Sequence, residues 1–159
     1  MPSFARRSSG KSFCRMVLSM VGKTKAPTKS EKDFMGKLCL LGCIICGNTS
    51  RCSVHHIVEG GKRKGHDFAI PLCYEHHQAG MGEGAYISRH PWKARFEEKY
   101  GDEQILLAKA YRLMRSEYSV ELPEPVKEWI GEFGRAVYYD SAALALFNEE
   151  HLPWQATDS

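Results

Sequence analysis

Residues 43–77 have the sequence CIICGNTSRCSVHHIVEGGKRKGHDFAIPLCYEHH, which begins with Cys43-x-x-Cys46 and ends with Cys73-x-x-His76 and one further histidine. The two pairs are separated by 26 residues. Thiolate and imidazole are ligands that zinc prefers, and two such pairs supply the four ligands of a tetrahedral structural site. The spacing therefore predicts a structural zinc ion on Cys43, Cys46, Cys73 and His76, which would cross-link a motif too small to stay folded alone.

Between the two pairs, the sequence predicts a β-hairpin. Residues 53–58 include several β-branched side chains, and residues 68–72 form a second short apolar stretch. A basic, glycine-rich loop at residues 60–65 turns the chain back, and Pro71 limits the second stretch to a short or edge strand. Residues 73–78 then suit a short helix, so the predicted order is strand, strand, helix.

Helices are predicted on both sides of this motif. Thr28 and the acidic residues after it are typical of a capped helix start, and Gly42 marks the end of that helix. Residues 91–100 and 102–116 have the pattern of two more helices, with Gly101 between them. We therefore expect an α+β fold, in which α-helices flank a small zinc-stapled ββα core.

Charge divides the chain into three parts. The 159 residues suit one compact domain with tails, and the net charge is +3. Residues 1–37 carry nine basic and two acidic residues, whereas residues 102–159 carry five basic and eleven acidic residues. We expect a flexible basic arm at residues 1–27, a domain with the zinc site at residues 28–116, and an acidic, helical extension at residues 117–159.

Composition argues against a membrane or secreted protein. No apolar run approaches the roughly 18 residues that a membrane helix needs, and the apolar stretch at residues 16–21 is too short for a signal peptide. We therefore expect a cytoplasmic protein. Because the cytoplasm is reducing, the six cysteines are poor disulfide candidates. A redox-active CxxC pair would need a βαβ context, which the pattern lacks. The cysteines outside the predicted zinc site, Cys14, Cys39 and Cys52, are expected to be free thiols.

Three further histidines surround the predicted zinc site. His55 and His56 are neighbours on the first predicted strand, so their side chains point to opposite faces. One of the two can bind a second metal while the other reaches a water molecule, and His77 on the predicted helix can supply another ligand. A lone histidine is more often a packing residue, but three at these places favour a catalytic site.

These motifs resemble those of the HNH endonucleases of the ββα-metal class, in which a paired histidine on a strand precedes Leu-Cys-x-x-(Cys/His)-His at a helix start. Over residues 25–113 the chain more closely resembles the Ref family of phage RecA-dependent recombination-enhancement nucleases. The segments that carry this resemblance are 26–29, 43–46, 54–57, 70–73, 76–77 and 96–101.

The resemblance implies a metal-dependent HNH endonuclease that hydrolyses DNA in phage recombination, inside the bacterial host cell and in partnership with the RecA filament. It implies that His56 is the general base and that His55 and His77 bind a catalytic divalent ion, Mg, Mn or Zn. A neutral imidazole suits a base near neutral pH. His90 and Asp67 are candidates for a third ligand.

The chain departs from the HNH pattern in the middle of the motif. No asparagine precedes Leu72-Cys73, and the residues in that region are His66 and Asp67, either of which can take its place. The acidic region after Glu117 has no counterpart in the family pattern, so the sequence leaves dependence on RecA open. No oligomeric state is implied.

Basic residues near the motif are candidates for phosphate contacts, because non-specific DNA affinity scales with such charges. They are Lys62, Arg63 and Lys64 in the hairpin loop and Arg89, Lys93 and Arg95 beyond it. Two other functions are compatible with the sequence. The chain can be a zinc module that binds nucleic acid or a recombination protein without cutting, or an adaptor that docks through the aromatic residues of its extension, which include Trp129, Phe133, Tyr138, Tyr139 and Phe147.

Overall fold

A computed structural model of the chain describes residues 26–155, so nearly all of the predicted basic arm, with Cys14, lies outside the described residues. The first element is helix α1, Lys29–Leu41. The Thr28 side chain accepts a hydrogen bond from the Glu31 backbone, and the Glu31 carboxylate accepts one from the Thr28 backbone. Gly42, with a φ of 82°, ends the helix. Both predicted ends of α1 are confirmed.

Two small antiparallel hairpins follow α1. The strands are β1 (Ser53–His56), β2 (Val58–Glu59), β3 (Lys62–Arg63) and β4 (Ala69–Leu72). β1 pairs with β4 so that His55 lies opposite Ile70, which confirms the predicted hairpin. The pairing of β2 with β3 was not predicted: the glycine-rich loop is itself a tight hairpin, turned at Gly60 and Gly61, both of which have positive φ.

The elements after β4 are helices. The helices are α2 (Tyr74–His77), α3 (Lys93–Tyr100), α4 (Glu103–Tyr118), α5 (Glu124–Trp129), α6 (Gly131–Tyr139) and α7 (Ser141–His151), followed by a 3-10 turn at Pro153–Gln155. The helices predicted at residues 91–100 and 102–116 are confirmed to within two residues at each end. Within residues 26–155, no helix combines the length and apolarity needed to cross a membrane.

Helix α4 lies at the centre of the core. Its Leu106, Leu107, Ala110 and Met114 have no exposed surface, and the helix packs against α6, α1 and β4. The helices after α4 contribute to the same hydrophobic cluster through side chains such as Val137. The domain boundary predicted at residue 116 therefore falls inside α4, in a chain whose described helices share one core.

The end of the predicted extension returns to the first Cys-x-x-Cys turn. The Trp154 Nε1 donates a hydrogen bond of 2.9 Å to the carbonyl oxygen of Ile45. The Gln155 Nε2 donates to the carbonyls of both Ile44 and Ile45. Ile44 and Ile45 lie between Cys43 and Cys46, so the extension supports the backbone of the predicted zinc site.

We expect Gly101→Ala to destabilise the protein more than Gly131→Ala. Both glycines have positive φ, 89° and 69°, which L side chains rarely adopt, and the ψ of 162° at Gly101 belongs to a region essentially restricted to glycine. A Cβ at Gly101 would also lie 2.5 Å from the Phe147 ring, whereas one at Gly131 would meet nothing within 4 Å. This overpacking adds about 1 to 3 kcal/mol. Urea denaturation of the zinc-loaded variants measures the free energy of unfolding. Equal decreases in the two variants would mean that α7 moves at this contact without cost.

Candidate metal centres and active site

The first Cys-x-x-Cys pair lies on a tight turn that is joined to the sheet. The Cys43 backbone N–H donates to the carbonyl of Asn48, and the Gly47 N–H donates to the carbonyl of Cys43. Gly47 has a φ of 71°, which allows the turn to close. The Ile44 N–H donates 2.9 Å to the carbonyl of Pro71 in β4. The turn is thereby fixed next to the start of α2, which follows β4.

This arrangement brings the four predicted zinc ligands together. The Cys46 and Cys73 Sγ atoms are 3.8 Å apart, and the His76 Nδ1 lies 3.6 Å from the Cys43 Sγ and 3.2 Å from the Cys73 Sγ. A tetrahedron with Zn–S distances of about 2.3 Å has edges of about 3.8 Å. All four ligand atoms lie within 4.8 Å of one another, so the group can hold a metal ion such as zinc.

Burial shifts the pKa values of three of these ligands. Desolvation raises the pKa of the Cys43 thiol well above its usual range and raises that of Cys73 to about 11. Desolvation also lowers the pKa of His76 to about 4, so its imidazole is neutral at physiological pH. Buried thiolates without a cation are therefore unfavourable, and binding of a metal would release the thiol protons.

A second group consists of His55 on β1, His77 on α2 and His90 in the loop before α3. One ring nitrogen of each lies within 4.8 Å of the others, and the His55 Nδ1 is 3.3 Å from the His90 Nε2. The loop is fastened to α2 because the His90 N–H donates 3.0 Å to the carbonyl of His77. Three imidazoles of this kind can hold a divalent metal ion.

Each of the two buried histidines in this group has a partner on its other nitrogen. The Ser53 Oγ is 2.7 Å from the His77 Nδ1, and the Glu103 Oε1 is 2.8 Å from the His55 Nε2. Desolvation lowers the pKa of His77 to about 4, and it also lowers the pKa of the exposed His90. His77 and His90 are therefore neutral at physiological pH, and each keeps one nitrogen lone pair that can bind a metal.

His56 points away from this group, as strand alternation predicts. It is half-buried, and its Nε2 lies 2.9 Å from the Nδ1 of His66. Burial, together with the positive charge of Arg63, lowers the pKa of His56. His66, one of the two residues considered for the missing asparagine, thus contacts His56. Asp67 is not part of the three-histidine group, and its carbonyl accepts a hydrogen bond from the Tyr111 hydroxyl.

The six basic residues predicted to contact phosphates differ in their exposure and in whether they already pair with other groups. Lys62 and Arg63 are exposed on β3, whereas Lys64 forms an ion pair with Glu59. Lys93 lies 3.3 Å from a Glu103 oxygen.

Arg95 and Arg89 complete the set of basic candidates. The Arg95 guanidinium donates to the carbonyl of Gly82. Arg89 is 7% exposed, and its Nε donates to the Glu103 carboxylate. The prediction for Arg89 therefore needs correction, because a buried guanidinium committed to a carboxylate is poorly placed to meet DNA.

Sequence reasoning missed Ser53 and Glu103. Glu103 is the first residue of α4, where an acidic residue is expected for its favourable interaction with the helix dipole. Because the helix dipole alone accounts for an acidic residue at this position, the sequence gives no reason to expect its contact with His55, which is 48 residues away. Ser53 is two residues before His55, so its side chain shares a strand face with it. That periodicity was a usable signal for Ser53.

Comparison with known proteins gives one family match. A family model described as "Recombination enhancement, RecA-dependent nuclease" matches residues 27–115. The matched residues include all four strands and both groups of candidate metal ligands. No curated protein matches the chain, and no solved structure does.

We expect Cys46→Ser to release zinc and unfold the domain, because ligation of a structural zinc contributes about 10 kcal/mol or more in small zinc domains. Cys52→Ser is the matched control, since Cys52 is half-buried and belongs to neither group of ligands. Metal analysis and circular dichroism measure the outcome. A folded Cys46→Ser protein that retains zinc would contradict the assignment.

Proposed function

Because the chain belongs to the family of recombination enhancement, RecA-dependent nucleases, we propose that it is a metal-dependent DNA endonuclease of the HNH type. The substrate is DNA undergoing phage recombination, and RecA is the expected partner. The observation that carries the proposal is the position of His56, which lies beside the three-histidine group in sequence but does not belong to it. A histidine that is not a metal ligand can take a proton from water.

His56 is suited to act as the general base. Its Nε2 is engaged with His66, so its Nδ1 is the nitrogen left to accept a proton from water. Nδ1 accepts only in the tautomer that carries the proton on Nε2, and donation to the His66 Nδ1 favours that tautomer. The lowered pKa of His56 keeps the ring neutral at physiological pH.

The remaining requirements of phosphodiester hydrolysis are neutralisation of charge and help for the leaving oxygen. His55, His77 and His90 are the residues that would hold the catalytic ion, which we propose is Mg, Mn or Zn. When bound, a divalent ion supplies Lewis-acid stabilisation of the phosphate and of the departing oxygen. Attack by water from the His56 side would leave a 5′ phosphate and a 3′ hydroxyl.

We assign zinc at Cys43, Cys46, Cys73 and His76 a structural role. All four protein ligands are present, so the site has no open position for substrate. The three-histidine group differs, because three protein ligands leave positions for water and phosphate. This difference between the two groups supports one structural and one catalytic metal.

The two rival functions are less well supported. A purely structural cluster would gain nothing from His56, which lies outside both groups of ligands. An adaptor role needs available aromatic residues, but Tyr138 and Phe147 are buried in the core and Trp129 packs against Phe68. Of the aromatic side chains considered for docking, Phe133 and Tyr139 are the exposed ones.

The exposed basic residues of β3 are expected to contact DNA phosphates. The N–H of Lys64, which directly follows β3, donates 3.1 Å to the carbonyl of Ile57, the residue after His56, so β3 lies close to the proposed base. We expect the Lys62→Ala, Arg63→Ala double variant to lower the slope of log K against log salt by up to about 2 units, at about 0.9 per lost contact. Lys127→Ala, on the acidic extension, should leave the slope unchanged. An unchanged slope in the double variant would exclude β3 from the DNA path.

We expect His56→Ala to lower the cleavage rate by about 10² to 10⁴-fold, the usual contribution of a general base. Its zinc content and thermal stability should remain close to those of the parent, because His56 is not a ligand in either group. The assay is plasmid and single-stranded DNA cleavage with Mg or Mn, with and without RecA and ATP. His151→Ala, on α7, is the control. Undiminished cleavage by His56→Ala would sink the proposal.

His55→Ala and His77→Ala should behave differently from His56→Ala. Both remove a proposed ligand of the catalytic ion, so excess Mg or Mn should partly restore their cleavage. The same excess should not restore His56→Ala, which lacks the base itself. Loss of zinc in all three variants would mean that the histidines form part of one structural cluster.

A further inference from the structure

Glu103 is a buried carboxylate with an unusual set of partners. It is 2% exposed, at the first position of α4. Its Oε1 lies 2.8 Å from the His55 Nε2 and accepts a hydrogen bond of 2.5 Å from the Arg89 Nε. Its Oε2 lies 3.3 Å from the Lys93 Nζ. A carboxylate so deeply buried is costly unless it is paired, and here one partner, His55, belongs to the three-histidine group.

The contact with Glu103 determines how His55 presents its ring. An ionised carboxylate only accepts hydrogen bonds, so the His55 Nε2 must carry the proton. The Nδ1 then has a free lone pair, and this nitrogen is the one that faces His90, at 3.3 Å. With the opposite tautomer, the Nδ1 would carry a proton and could not bind a cation.

Glu103 also fixes the loop that carries His90. Arg89 directly precedes His90, and its guanidinium donates a hydrogen bond to the Glu103 carboxylate. The Arg89 backbone N–H donates 2.7 Å to the carbonyl of His76, and the His90 N–H donates to that of His77. One carboxylate thus restrains His55 directly and His90 through its neighbour.

We propose that Glu103 is the positioning residue of the catalytic metal centre, which sets the tautomer of His55 and holds His90 in place before any ion arrives. The proposal rests on the proposed function, because it takes His55 and His90 as ligands. A carboxylate behind a ligating histidine fixes its orientation and raises its basicity, and loss of such a partner typically lowers metal affinity about 10- to 100-fold.

A merely structural ion pair between Glu103 and Arg89 is the competing explanation. It predicts lower stability on substitution but no specific change in His55. The matched control is Glu97→Gln, which removes a carboxylate that also pairs with Lys93, at 3.6 Å, but that makes no hydrogen bond or ion pair with the three histidines within residues 26–155. This control therefore reports the effect of losing one nearby negative charge.

The experiment uses the full chain loaded with one equivalent of zinc. Mn²⁺ affinity is measured by calorimetry, and the tautomer of His55 is read from its imidazole ¹⁵N shifts before Mn²⁺ is added. In the parent we expect the proton on the His55 Nε2. In Glu103→Ala, the fraction of His55 that carries the proton on Nε2 should fall below that of the parent, and Mn²⁺ should bind about 10- to 100-fold more weakly. Glu97→Gln should match the parent in both measurements.

Glu103→Gln keeps the proposal testable if Glu103→Ala does not fold. Its amide oxygen can still accept from the His55 Nε2, so the tautomer should persist, with a smaller loss of affinity than in Glu103→Ala. A parent protein with the proton on the His55 Nδ1 would overturn the proposal. So would a folded Glu103→Ala protein that keeps both the parental tautomer and the parental Mn²⁺ affinity.

These results separate the inference from the proposed function. Glu103-dependent Mn²⁺ binding and the expected tautomer, in a parent that cleaves no DNA, would support the positioning role and reject the nuclease assignment. DNA cleavage that needs His55 but not Glu103, with parental Mn²⁺ affinity in Glu103→Ala, would reject the positioning role alone.

Discussion

The antiparallel register of β1 against β4 is the constraint on which both metal centres depend. It sets Ser53 opposite Leu72 and His55 opposite Ile70, so that α2 begins directly beside the start of β1. Alternation along β1 then sends His55 toward α2 and His56 to the other face. A shift of one residue would exchange the faces of these two histidines, so that His56 rather than His55 would face α2.

Helix α2 divides its residues between the two centres. His76 joins the cysteines, and the next residue, His77, joins His55 and His90. Successive side chains of a helix differ in direction by about 100° because 3.6 residues make one turn, so one short helix serves two sites. The C-terminal extension stabilises the turn of the first cysteine pair, because the Trp154 Nε1 donates a hydrogen bond to the carbonyl of Ile45. A helix of four residues has little stability alone, and the proposed zinc would hold it in place.

Sequence alone could predict the features that local patterns encode. The Thr28 cap, the β1 and β4 hairpin and the four Cys and His ligands follow from turn chemistry, alternation and spacing. The features that sequence missed depend on contacts between distant segments. Glu103 has the appearance of an ordinary helix-start residue until it is buried against His55, and the burial of Arg89 depends on the path of the loop after α2. The docking of α7 through Phe147 is likewise set by tertiary packing rather than by local pattern.

We propose that one ββα unit, together with the loop before α3, holds two metals, one structural and one catalytic. Anomalous diffraction from crystals grown with zinc and manganese, recorded at the absorption edge of each metal, locates both ions. We expect a zinc peak among Cys43, Cys46, Cys73 and His76, and a separate zinc or manganese peak bounded by His55, His77 and His90, with at least one coordination position not filled by protein. A single zinc peak among the cysteines, or a second metal bound away from the three histidines, would rule out this arrangement.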